Sequence, residues 1–230
     1  VSHTDNLIIS AFVGLATVGI YSNYQMVLNS IKQLMSYIYG SFSAGIGNMA
    51  ASSDSGRLLE IYKSLNLLIS MIYGYIAVCL FFLFNPFIGL FFGEEYTLPV
   101  FVTGLIVFDF YLHGMRQMTL RFRDSMGLYW YDRYKPVAEI LLNLSISIVL
   151  VKRYQIAGVI AGTVISSLLT NFWIEPLVFM KYGIGGCWKR NLMDYFRRYG
   201  VSAAIVSGDI FFLWFLFRPI PAFTFLGIVV

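Results

Sequence analysis

The chain reads as long apolar runs separated by short polar breaks. Positions 65–84 carry no charge, 98–111 are interrupted only by Asp109, and 140–151 and 156–174 carry none. A helix crossing a hydrocarbon core of ~30 Å needs ~20 apolar residues. Spanning strands would show alternation over segments of ~10 residues, and these runs do not alternate. The pattern predicts eight helical segments. One ends near Gly14, and others cover 17–47, 58–84 (stopping at Asn85-Pro86), 98–127, 136–151, 156–180 and 200–217. The last opens after Pro219 and Pro221. The apolar runs at the two ends, 7–14 and 222–230, are too short to span and are expected to be parts of longer helices. The expected organisation is a transmembrane lobe over 1–180, truncated at its first helix, a cytoplasmic connection over 181–199, and an additional helix pair over 200–230, its second helix also truncated.

Composition strengthens this reading. Hydrophobic residues make up 58% of the chain and charged residues 12%, against ~25% charged in a typical soluble domain. So few charges cannot cover a water-exposed surface, and the expected fold is an all-α integral membrane, polytopic bundle. The net charge of +4 then reports topology rather than nucleic-acid binding. Arg57, Lys63, Arg116, Arg121, Arg123, Arg133, Lys135, Lys181, Lys189, Arg190, Arg197 and Arg198 fall on one side of the predicted bundle, and only Lys152, Arg153 and Arg218 on the other. The richer side is expected to be cytoplasmic. Cys79 and Cys187 suit neither a disulfide nor a metal site.

Polar residues inside the predicted spans are the candidate chemistry. Ser22, Gln25, Asn29, Lys32 and Ser36 recur at steps of three and four, on one helix face. Lys32 lies ~22 Å from the outer end of its segment, near mid-membrane, where a charge costs at least ~2.5 kcal/mol on insertion scales. It either lines a polar cavity or pairs with a carboxylate. Asp109, His113, Arg116 and Arg123 share a face of the 98–127 segment. Here the structural alternative is an internal Asp109–His113 hydrogen bond, with the arginines reaching to lipid headgroups. Glu139 and Glu175 are expected to pair with Arg116, Arg121 or Lys135. Gly158, Gly162, Ser166 and Thr170 form a small-residue ladder that lets helices approach closely. Paired catalytic carboxylates, a nucleophile elbow, a phosphate-binding glycine loop and a metal cluster are all missing from the sequence, so the expectation is a transporter rather than an enzyme.

Three stretches carry a family resemblance. They are Thr4-Asp5-Asn6-Leu7-Ile8-Ile9-Ser10-Ala11-Phe12-Val13-Gly14-Leu15 with Val18-Gly19-Ile20-Tyr21-Ser22-Asn23-Tyr24, then Phe122-Arg123-Asp124 with Gly127-Leu128-Tyr129-Trp130-Tyr131-Asp132-Arg133-Tyr134-Lys135-Pro136, and Trp173-Ile174-Glu175-Pro176. The chain resembles the second half of bacterial Wzx-type polysaccharide flippases, relatives of the MATE drug exporters and the MurJ flippases. That resemblance implies the C-terminal lobe of a two-lobe transporter in the bacterial plasma membrane. It would export undecaprenyl-pyrophosphate-linked oligosaccharide by alternating access, facing an N-terminal lobe of the same protein. Gln25, Asn29, Lys32, Asp109, His113 and Arg116 would line the cavity, with Arg123, Glu139 and Glu175 as structural pairs. No cofactor is expected, and coupling to H+ or Na+ stays open. The alternatives are a MATE-type multidrug exporter and part of a polytopic polysaccharide polymerase or glycosyltransferase.

Overall fold

The computed structural model describes residues 2–52 and 55–217, and among these every regular element is helical. Helix α1 (Ser2–Phe12) is followed by α2 (Leu15–Ser52), α3 (Ser55–Phe92), α4 (Val100–Met115), α5 (Gln117–Ser125), α6 (Lys135–Leu169), α7 (Asn171–Val178) and α8 (Trp188–Phe217). Gly14 (φ +120°) ends α1, and its N–H donates to the Ile9 carbonyl at 2.9 Å. That backbone conformation favours glycine at a helix C-terminus. Helix α3 is central, packing on α4 and α8. Helices α1 and α4 lie against α6, and α2 rests on α5. Buried rings fill the interior: Tyr24 on Phe84, Tyr73 on Phe110, and Tyr62 against Phe122 and Phe179.

Two stretches, Ser55–Phe92 and one within Leu128–Ile184, are long and apolar enough to cross a membrane. Large apolar side chains such as Leu34, Met71, Leu90, Phe101 and Val149 stand exposed on the helices, where lipid would cover them.

Several expected boundaries are corrected. Helix α3 does not stop at Asn85-Pro86 but runs to Phe92, with Pro86 inside it. A proline there removes one helical hydrogen bond, and a polar knot beside it steadies the turn. Tyr24 Oη donates to Asn85 Oδ1 at 2.6 Å and accepts from Leu98 N at 2.9 Å. Asn85 Nδ2 donates to the Leu98 carbonyl, and Thr103 Oγ1 to Asn85 Oδ1, each at 2.9 Å. The expected 98–127 segment breaks at Arg116 into α4 and α5.

The segments expected over 136–151 and 156–180 meet in α6, which reverses at Gln155 (φ +51°, ψ −131°). Its two arms form a hairpin. A Cβ on Gly158 would lie 2.4 Å from the Leu150 carbonyl oxygen, and one on Gly162 2.2 Å from Ser147 Oγ. Only glycine permits that approach, which is the packing role expected of the ladder. The second expected segment then breaks again at Thr170 and finishes in a wide π-type turn, Phe179–Ile184. Helix α8 begins at Trp188, well before the expected start at 200, so the connection shrinks to the turn at Gly185, Gly186 and Cys187. The segment expected after Pro219 lies outside the described residues.

Candidate functional site

Two groups of charged and polar side chains occupy the bundle. The first gathers where three parts of the bundle meet: the Arg116 junction, the start of α6 and the middle of α7. Arg116 reaches the fully buried Glu175, with Nε donating to Oε2 at 2.9 Å and the second guanidinium nitrogen to Oε1. Lys135 Nζ, in the first turn of α6, bonds the same Glu175 Oε1. Lys135 also lies 3.9 Å from Asp132, which holds Arg123. Arg123 closes the chain on Asp124, at 2.7 and 3.0 Å. Three cations thus meet three carboxylates, and the group is electrically neutral. The arginines therefore turn inward to carboxylates rather than outward to headgroups. Glu139 accepts a hydrogen bond from Asn171 Nδ2 at 2.6 Å.

The second group, on α2 and α4, has few direct partners. Lys32 on α2 and Asp109 on α4 are within Coulombic range of each other, and Arg116 also faces Asp109. Among the described residues, no carboxylate comes within 4 Å of Lys32 Nζ. His113 does not bond Asp109: its ring Nε2 meets Gln117 Nε2 at 2.8 Å, one helical turn on. Gln25 Nε2 donates to Tyr21 Oη at 2.6 Å, while its Oε1 is buried without a partner. Asn29 is exposed on the same face of α2. A cavity of about 30 Å³ opens beside Asp109, His113, Arg116, Asn171, Tyr195 and Tyr199, with room for roughly one or two waters.

A third feature was hard to judge from sequence. Asp5 of α1 is 2% exposed and accepts from Thr163 Oγ1 at 3.0 Å, and Thr163 Oγ1 in turn accepts from Asn143 Nδ2 at 2.9 Å. The side-chain oxygens of Asn143 and Asn6 are buried without partners. In the sequence Asn143 stands only four residues after Glu139 and four before Ser147, and Thr163 falls between rungs of the small-residue ladder. Their meeting depends on the hairpin at Gln155, which no local pattern announces. Compared with protein-family models, with curated proteins and with solved structures, the chain matches none.

Proposed function

We propose that this chain is one lobe of a multi-pass transporter in a bacterial plasma membrane. It would move undecaprenyl-pyrophosphate-linked oligosaccharide from the inner to the outer leaflet, for cell-surface polysaccharide synthesis, by alternating access against a facing lobe. The observation that carries the reading is Lys32. It is a cation midway along a predicted span, only partly buried and without a contacting carboxylate among the described residues. A lone cation at that depth is costly. An anionic ligand that offsets the cost explains its presence better than packing does.

In this reading Lys32 attracts the pyrophosphate. Gln25 and Asn29 lie along the same face and offer amide hydrogen bonds to phosphate or sugar. Asp109 keeps the cation from holding the anion too tightly, which release on the far side requires. Arg116, neutralised by Glu175, acts on position rather than on charge, and His113 is held by Gln117. Asp5, buried against Thr163 Oγ1, and Asp109 are the carboxylates that would carry a coupling proton or sodium ion.

The test uses the intact protein in a strain whose surface polysaccharide depends on it. Lys32→Ala is expected to abolish most export, and Lys32→Arg to keep part of it. Unchanged export by a stably inserted Lys32→Ala variant would end the proposal. A change in drug accumulation alone would favour a multidrug exporter.

A further inference from the structure

The largest cavity described in the molecule lies away from Lys32 and Asp109. It is a groove of about 940 Å³ along the seam of α3 and α8, walled by Leu67, Met71 and Val78 on α3 and by Val201, Ile205 and Phe212 on α8. Contacts hold the seam at several points. Lys63 meets Asp194 at 3.7 Å at one end. Further along, Tyr111 on α4 donates to Ser202 on α8 at 2.9 Å, and Gly74 leaves room for Val206, whose Cγ2 would stand 2.8 Å from a Cβ there. Beside these contacts the groove stays open.

Its two ends differ in charge. Arg197 and Arg198 line the end next to the Lys63–Asp194 pair, and both are exposed. Among the described residues, neither has a carboxylate within 4 Å. From Arg198 to Leu213 the lining extends about 22 Å, more than half of a ~30 Å hydrocarbon core. Asp209 also lines it, about 16 Å beyond Arg198, and would repel an anion placed at that end. The groove therefore asks for a molecule with one anionic head and a long apolar body, entered in one direction.

We propose that the α3–α8 groove holds one anionic glycerophospholipid, its phosphate on Arg197 and Arg198 and its acyl chains along α3 and α8. Arginine forks match phosphate oxygens well, and a basic pair at the headgroup level favours anionic over zwitterionic lipid. The bound lipid completes the packing of α8 against the bundle, so it acts as a structural ligand. The proposal rests on membrane placement but not on transport, and the Lys32 variants leave it untouched.

The experiment is native mass spectrometry and thermal unfolding of the intact protein in mixed micelles of detergent with phosphatidylglycerol or phosphatidylcholine. One phosphatidylglycerol is expected to stay bound and to raise the unfolding temperature, with no such effect from phosphatidylcholine. The R197Q/R198Q double variant should lose roughly 30-fold in phosphatidylglycerol affinity. The neighbouring K189Q/R190Q variant should keep it. Met71→Trp, which fills the groove and leaves both arginines, should also release the lipid. Equal retention of the two lipids, or unchanged affinity in R197Q/R198Q, would overturn the proposal. So would displacement by an undecaprenyl pyrophosphate at equimolar amounts, which would assign the groove to the transported molecule. A cross-link at Met71→Cys to a second copy in a membrane would overturn it in favour of protein.

Discussion

The two charged groups of this bundle hold similar residues in opposite ways. At the α5–α6 end, Arg116, Lys135 and Arg123 each touch a carboxylate, and Glu175 and Asp132 are each shared between two cations. On α2 and α4, Lys32 and Asp109 make no ion-pair contact with each other. The difference is one of finish. The first group satisfies its own charges and so has little left to offer a ligand. It joins the α4–α5 junction, the start of α6 and α7 into one unit. The second leaves the Lys32 cation without a contacting carboxylate among the described residues, with Asn29 exposed beside it, which is what the proposed transport of an anion would use.

The strongest way to break this comparison is at Glu175. Glu175→Gln leaves Arg116 and Lys135 in place with their shared carboxylate gone. Removing one partner of a buried pair costs about 3–5 kcal/mol, because the remaining charges stay buried. Unfolding of the intact protein in mixed micelles should register a loss of that size. A loss below about 1 kcal/mol would mean that these cations reach water and that the group is not a finished unit.

A smaller effect is expected at the rim of the same group. Arg123→Gln leaves Asp132 to Lys135 alone, at 3.9 Å, while Asp124 is already 43% exposed. The loss should be about 1–3 kcal/mol, the range for an unpaired buried acceptor. An effect equal to that of Glu175→Gln would show that the charges act as one indivisible network.

Tyr24→Phe probes the uncharged knot beside Asn85. It removes the acceptor of the buried Leu98 N–H and the donor to Asn85 Oδ1. About 1–2 kcal/mol should be lost, and the turn between α3 and α4 should exchange its amide hydrogens faster. Unchanged exchange there would show that Pro86 is tolerated without the knot.

What could be read in advance follows the physics of period and spacing. The helical class was legible because runs such as 65–84 admit little else. Pairing of Glu175 with Arg116 and Lys135 was legible because buried carboxylates seek cations and few were in reach. The helix ends were less so. Pro86 looked like a stop, but the partners of Asn85 and Tyr24 lie 13 to 74 residues from them in the chain. The break at Arg116 occurs where its side chain turns to Glu175, an interaction across 59 residues. Asp5 with Thr163 spans 158 residues, and the reversal at Gln155 brings Asn143 to the same Thr163. Local pattern gives elements, whereas the site depends on contacts made after the elements pack.

The smallest expected loss of stability falls at Lys32, and this is the sharpest test of the contrast. Lys32→Met keeps the length and the apolar stem and removes only the charge. With no contacting carboxylate to strand, the variant should unfold at the same free energy or be stabilised by up to about 2.5 kcal/mol, the insertion cost of the cation. Export, read in parallel, should fall as is expected for Lys32→Ala under the proposed transport. A destabilisation above about 1 kcal/mol would place a carboxylate against Lys32 in the assembled protein, in which case both groups are structural and the available cation must be sought elsewhere. Stability retained with export lost would separate the two groups by role, one holding the bundle together and the other serving what passes through it.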